Sequence, residues 1–229
     1  MTVIACDLGA SSGKIFAGNL NGDRIEMQEI HRFLNQPVTV HSYFHWDILR
    51  LFHEIKQGLL KTKFTLRGPV KSFGVDTWGL DFGLLDRDGV LLGNPYHYRD
   101  HQSRGMIEKV AALIPMSEIY ERTGIQFSEI NSLYHLFAIQ QSERKRIFEI
   151  ADKMLMIPDL LRYFLSGEKT AEETIVSTSQ MINLKTGDWD EKIIETLQFP
   201  RHMFPEIIKA GTEAGEIRPS IRNELGIET

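Results

Sequence analysis

The segment that most constrains this chain lies at its beginning, where two β-forming runs, Thr2 to Leu8 and Lys14 to Leu20, flank the turn Gly9-Ala10-Ser11-Ser12-Gly13. The runs are short, apolar and rich in β-branched residues. Glycines at both ends of the turn let the backbone reverse tightly. Asn21-Gly22-Asp23 is a second hairpin signal, placed just before Arg24 to Phe33. Three consecutive antiparallel strands are therefore expected, and such a meander needs other elements to cover its apolar face.

The remainder supplies them. Leu34 to His45 is less regular. Asp47 can cap a helix on which Ile48, Leu51, Phe52, Ile55 and Leu59 share one face. Val70 to Asp76 reads as a buried strand after Gly68-Pro69, and Phe82 to Leu85 as another, closed by the turn Asp86-Arg87-Asp88-Gly89. From Ser103 onward the pattern turns helical. Helices are expected over Met106 to Ile114, from Ser117 to the stop at Gly124, over Asn131 to Gln141, over Pro158 to Leu165 and over Glu191 to Leu197. Strands followed by mixed strand and helix predict an α/β fold, a mixed sheet with flanking helices. Residues 1–229 are expected to form one domain. The tail from about 211 to 229, with Gly211, Gly215, Pro219 and Gly226, reads as a linker toward something further.

A net charge of −5 gives no electrostatic reason to expect nucleic acid or an anionic membrane as partner. Asp7 and the glycines interrupt any signal-like stretch, and no apolar run is long enough to span a bilayer. Cys6 is the single cysteine and cannot form an internal disulfide; a buried strand thiol in a reducing cytoplasm is expected.

Two segments carry chemistry. In Asp7-Leu8-Gly9-Ala10-Ser11-Ser12-Gly13-Lys14, a glycine-bounded turn can aim backbone N–H groups at one spot, and two hydroxyls and a lysine add donors, which suits a phosphate. Asp7 at the strand end could hold Mg²⁺ through water. A plain polar hairpin with structural glycines fits the same spacing. The segment is not a P-loop: the glycines stand one residue too close, and Ile15 occupies the place of the metal-binding Ser or Thr. In Phe73 to Gly83, a buried strand delivers Trp78 and Gly79 to its carboxyl end between Asp76 and Asp81. An indole face that stacks on C–H groups, with oxygens for hydroxyls, suits a sugar, although a core tryptophan beside an aspartate-capped turn has the same pattern. The pairs His41/His45 and His97/His101 find no third ligand for a metal, and Glu143-Arg144-Lys145-Arg146 reads as a solvated helix face.

The first segment resembles the leading phosphate loop of the actin-like ATPase superfamily, an Asp-x-Gly-x-x turn between antiparallel strands with a ribonuclease H-like fold. Asp76-Thr77-Trp78-Gly79, Tyr96 to Asp100, Tyr120 to Phe127 and Asn131-Ser132-Leu133-Tyr134 sharpen this. In order and spacing, from Val3 to about Trp189, they are similar to the rhamnulose branch of the FGGY family of carbohydrate kinases. The resemblance implies that Ala10, Ser11, Ser12, Gly13 and Lys14 contact the phosphates of ATP and that Asp7 lies near Mg²⁺. It further implies that Trp78, Gly79, Asp81, Tyr98 and Asn131 line the sugar site. Lys14 stands where arginine is usual, so bidentate phosphate contact is lost while the charge remains. Gln102 also stands where the family has arginine. Family kinases are about twice this length, with the catalytic base and the adenosine site in a second domain, so no catalytic base is expected before Thr229. The implied reaction of the whole enzyme is ATP plus L-rhamnulose giving L-rhamnulose 1-phosphate and ADP. The implied partners are the sugar, ATP and, where it is encoded apart, a separate C-terminal half. A half-kinase for L-fuculose or xylulose, or a non-catalytic sugar-binding or assembly protein, would show the same motifs.

Overall fold

The computed structural model describes residues 2–66 and 68–227. Strands β1 (Thr2–Leu8), β2 (Ser12–Asn21) and β3 (Arg24–Leu34) form the expected meander, and a short hairpin, β4 (Val38–Val40) and β5 (Tyr43–His45), occupies the less regular stretch that follows. Helix α1 (Ile48–Thr65) starts at Asp47, whose carboxylate accepts from the Arg50 amide at 3.2 Å. Strand β6 (Val70–Thr77) then pairs in parallel with β1, giving a mixed sheet of order β3-β2-β1-β6.

Strand β7 (Phe82–Asp86) does not join that sheet. It pairs antiparallel with β8 (Ala151–Met156), a strand that the sequence pattern does not announce. Between them lie α2 (Met106–Ala111), α3 (Met116–Thr123) and α4 (Ser132–Gln140). Beyond them come α5 (Ile157–Ser166), β9 (Ala171–Glu172), α6 (Glu173–Ser177), α7 (Glu191–Thr196) and β10 (Ile207–Ile208). The tail carries a further helix, α8 (Pro219–Leu225). It buries Leu225, and Glu224 meets Lys56 of α1 at 2.7 Å. No helix among the described residues is long and apolar enough to cross a membrane.

There are two cores, and the β7–β8 ladder is their common wall. Leu84, Met154 and Met156 face one core with α2, α3 and α4; Leu85 and Leu155 face the other. That second core fills the space between α1, α5 and the inner face of the main sheet, where Ile4, Cys6, Leu8 and Ile15 are buried. Burial, and then Asp7 beside it, pushes the Cys6 thiol up to about 12, so it stays protonated and inert.

Packing between α1 and β2 is close enough to test. A Cβ on Gly58 would lie 2.0 Å from Ile15 Cδ1, and Ile15 is fully buried. Alanine normally improves a helix interior. Here the overlap dominates, and Gly58→Ala is expected to lower stability by about 1–3 kcal/mol. Urea unfolding of Gly58→Ala and of Gly58→Ala/Ile15→Val checks this: the second change should return much of the loss.

Candidate functional site

Both motifs meet at the carboxyl ends of β1 and β6. Register pairs Asp7 with Lys14 across β1–β2 and with Asp76 across β1–β6, so the two exposed carboxylates stand side by side with the lysine in the same row. The Trp78 amide donates to Leu8 O at 3.2 Å, which ties the second loop to the first. Within the first loop, Gly9 N donates to Ser12 O at 2.8 Å, and Asn35 Nδ2 braces Gly9 O at 3.0 Å. Ala10 and Ser11 are exposed, and their amides donate to nothing among the described residues. An exposed turn with free N–H donors, flanked by hydroxyls and one lysine, fits a polyphosphate. Two adjacent carboxylates fit a Mg²⁺ ion that keeps most of its water.

The second loop is built around Asp81, a buried carboxylate. Its Oδ2 accepts from Trp46 Nε1 at 2.6 Å and from Trp78 Nε1 at 2.8 Å, and the Tyr98 amide also donates to it. The two indoles lie with centroids 4.0 Å apart. His97 stacks on Trp46 at 4.2 Å and lies 4.4 Å from the Tyr98 ring. Trp46 is wholly buried, held by its amide on Pro95 O. Burial pushes the Asp81 carboxyl up to about 7 against the opposing pull of its three donors. Burial likewise holds His97 and His135 neutral, each pushed down to about 4. His135 lies with Nε2 3.1 Å from Tyr98 O and Nδ1 3.2 Å from Gln102 Nε2. This arrangement has Nε2–H donating to the carbonyl and Nδ1 accepting from the amide. Gln102 is therefore turned inward.

Gly79-Leu80-Asp81 is a tight reversal. Asp81 N donates to Gly79 O at 3.1 Å, and Leu80 has a φ of 83°, a strained combination for a leucine. Leu80 N donates to Thr178 Oγ1 at 3.1 Å and Ser132 Oγ donates to Leu80 O, so the turn is fixed from both sides. Gly79 packs closely on Thr178: a Cβ would lie 3.0 Å from that side chain, which would have to give by a few tenths of an ångström. Asn131 stands buried at the start of α4 without a side-chain capping bond, and its Nδ2 donates to Gln126 O and to Gln180 Oε1, both at 2.9 Å.

The structure thus gathers Asp7, the turn residues Ala10 and Ser11, Trp78, Gly79, Asp81 and Tyr98 at one edge, with Asn131 in the layer behind Leu80; Ser12, buried Gly13 and Lys14, expected in or beside the turn, already belong to β2. Trp46, His97, His135, Ser132 and Thr178 join them without having been singled out as site residues. A tryptophan directly before the helix-capping Asp47 is the one sequence signal that could have pointed to Trp46. Arg144 departs from the solvated-face expectation: it lies 4.7 Å from the Tyr43 ring centroid and 5.0 Å from that of Tyr96. A depression of about 400 Å³ lined by Asp188, Arg201, Phe204 and Lys209 shares no residue with this edge.

Residues 2–229 match the N-terminal domain of the FGGY family of carbohydrate kinases. The chain is 39% identical over 225 residues to the rhamnulokinase of Oceanobacillus iheyensis, covering 98% of this chain and 47% of that protein. It is 38% identical over 218 residues to the rhamnulokinase of Bacillus subtilis, covering 95% and 44%. It spans about half the length of these curated relatives. Among solved structures, the xylulose kinase of Lactobacillus acidophilus superposes with a TM-score of 0.88 at 18% identity, over 99% of this chain and 46% of that one. The glycerol kinase of Plasmodium falciparum with ADP gives 0.79 at 17%, over 98% and 46%. At those identities the structural likeness speaks to fold.

The buried Asp81 makes a prediction with a definite sign. Its carboxyl rises from 3.8 to about 7 on folding, so between those values the folded chain holds a proton that the unfolded chain has lost. Its ionisation therefore erodes stability as pH rises from about 4 to 7. Asp81→Asn lacks that term. Urea unfolding should show the variant gaining on the wild type across this window, with no further change above it. A gap moving the other way would mean that the indole donors hold the carboxylate ionised.

Proposed function

The chain belongs to the FGGY family of carbohydrate kinases, and from that premise we propose that it is the sugar-binding half of an ATP-dependent, cytoplasmic kinase that phosphorylates L-rhamnulose to L-rhamnulose 1-phosphate. The observation that carries the reading is the placement of a donor-rich phosphate turn and an indole wall at adjacent strand ends, joined by the bond from Trp78 N to Leu8 O. The rhamnulokinase relatives support the choice of ketose.

In this reading the Ala10 and Ser11 amides, the Ser11 and Ser12 hydroxyls, the Gly13 backbone and Lys14 receive the phosphates of ATP. Asp7, with Asp76 beside it, holds Mg²⁺ through water. Bound Mg²⁺ would neutralise charge that develops on the transferred phosphoryl group. Trp78 offers its indole to the sugar. Trp46 and Asp81 keep that indole from turning, which presents an apolar surface to the methyl group of a deoxy ketose. An apolar contact of this size discriminates by about 1–3 kcal/mol. Tyr98 extends the wall, Gly79 contributes backbone only, and Asn131 keeps Oδ1 as an acceptor. Asp81 uses Oδ2 on the two tryptophans, so its main task is to hold the wall. The base that takes the hydroxyl proton belongs to the second half of the enzyme, and that half also shuts out water.

Calorimetric titration of L-rhamnulose, L-fuculose and D-xylulose against the wild type and Trp78→Ala tests the substrate. L-Rhamnulose should bind tightest, and Trp78→Ala should weaken it roughly tenfold or more and narrow the preference. Tighter binding of D-xylulose would keep the kinase and change its sugar. Equal affinity in Trp78→Ala would remove the wall from the site. Substitutions at Gly79 are poor probes, because the new side chain strikes Thr178 first. In a coupled ADP-release assay, residues 1–229 alone should show no measurable turnover with any of the three ketoses. Turnover in the range of a complete sugar kinase would place a base within this chain.

A further inference from the structure

Three side chains where α1 lies on β3 form a chain of hydrogen bonds that the candidate site does not use. Register places His31 of β3 opposite Ile15, which is buried against Gly58 of α1, so His31 faces that helix. Its Nε2 lies 2.7 Å from Glu54 Oε2 and its Nδ1 2.8 Å from Lys61 Nζ. Glu54 and Lys61 stand two helical turns apart on α1, on one side of it, and the imidazole bridges them. A lysine ammonium only donates and an ionised carboxylate only accepts. One assignment follows: Nε2–H donates to Glu54, and Nδ1 accepts from Lys61. The Phe33 ring, 5.5 Å from the imidazole, and Arg50, 3.9 Å from Glu54 Oε1, flank the pair. The side chains of His31 and Glu54 are only 12% and 18% exposed, so water competes little for their bond, whereas Lys61 is open to a solute.

We propose that Lys61 is a nucleophile for acyl transfer and that acyl phosphates modify it. A weak nucleophile is activated when a base lies within hydrogen-bond reach of it and a third group orients that base. Here Lys61 attacks, His31 is the base, and Glu54 positions the imidazole. An ammonium has no lone pair, so one proton must leave Lys61 first; His31 Nδ1 takes it, and Glu54 balances the resulting imidazolium. The amine nitrogen then bonds to the acyl carbon, and the bond from that carbon to the phosphate oxygen breaks. As the amide forms, the nitrogen gives up a second proton. His31, already protonated, cannot accept it, but the departing phosphate oxygen can. The products are Nζ-acyl lysine, hydrogen phosphate and the first proton, which His31 returns to solvent. No oxidant or reductant is needed. A free carboxylic acid lacks such a leaving group and would not react. The three residues take no part in the candidate site, so their chemistry is separate from the choice of sugar.

The probe is acetyl phosphate. The 229-residue chain is exposed to it and sampled over time, the unreacted lysines are capped with an isotopically heavy acetyl group after denaturation, and mass spectrometry reads the light fraction at each lysine. A general base contributes typically about 10²–10⁴-fold, so Lys61 should acetylate at least about tenfold faster than Lys63, which is also exposed on α1. His31→Gln keeps a polar side chain and removes the base; it should bring Lys61 to the Lys63 rate while circular dichroism stays unchanged. Glu54→Gln should slow Lys61 several-fold, and as a near-isosteric change at a half-buried helix position it serves if His31→Gln does not fold. Equal rates at Lys61 and Lys63 in the wild type would overturn the proposal. So would a Lys61 advantage that survives undiminished in folded His31→Gln or, failing that variant, in Glu54→Gln. A purely structural ion-pair chain gives that last result: both variants would shift the unfolding midpoint and leave the ratio of acetylation rates where it was.

Discussion

Strand β1 pairs antiparallel with β2 and parallel with β6, and the candidate site depends on that single placement. The antiparallel side makes the turn after Leu8 short and exposes its amides. The parallel side brings Thr77 and Trp78 level with Leu8, so a second loop begins where the first turns back. A one-residue slip of either pairing would turn Asp7 or Asp76 into the core and a core residue outward. Buried Ile4, Cys6 and Leu8 oppose such a slip, so the hydrophobic effect fixes where the carboxylates stand.

The second loop is held by a different force. Asp81 is a carboxylate in an apolar setting, costly unless its oxygens find donors, and two indoles and a backbone amide supply them. Removing one donor would leave the others holding a poorly satisfied group, so Trp46, Trp78 and Tyr98 are bound into one unit. The neutral His97 and His135 behind them add aromatic area without adding charge. Such a wall is rigid before any ligand arrives, which lowers the ordering cost of binding.

The meander strands, the turn after Leu8 and the position of Trp78-Gly79 after a strand were legible because each rests on local chemistry: period-two burial, glycine turns, and an aromatic at a strand end. What sequence did not reveal depends on distant partners. Trp46 reaches Asp81 across 35 positions, and Thr178 reaches Leu80 across 98. Strand β8 was hidden because both its faces are buried, one in each core, which removes the alternation that betrays a strand. Pro219 and Gly226 suggested a connection, yet they punctuate a helix, with proline in its first turn and Gly226 at a φ of 58° past its end. Gly79 also lies against a distant partner, since a Cβ there would come within 3.0 Å of the Thr178 side chain.

The central claim is that phosphate and sugar meet at adjoining loops on one sheet edge. Amide chemical-shift mapping of the 229-residue chain, titrated separately with magnesium tripolyphosphate and with L-rhamnulose, tests it most directly. The account predicts that tripolyphosphate moves residues 9–14, that the ketose moves Trp78, Gly79 and Tyr98, and that the two sets adjoin through the Leu8–Trp78 hydrogen bond. Shifts from the ketose confined to the depression around Asp188, Arg201 and Lys209, with the Trp78 loop silent, would contradict it.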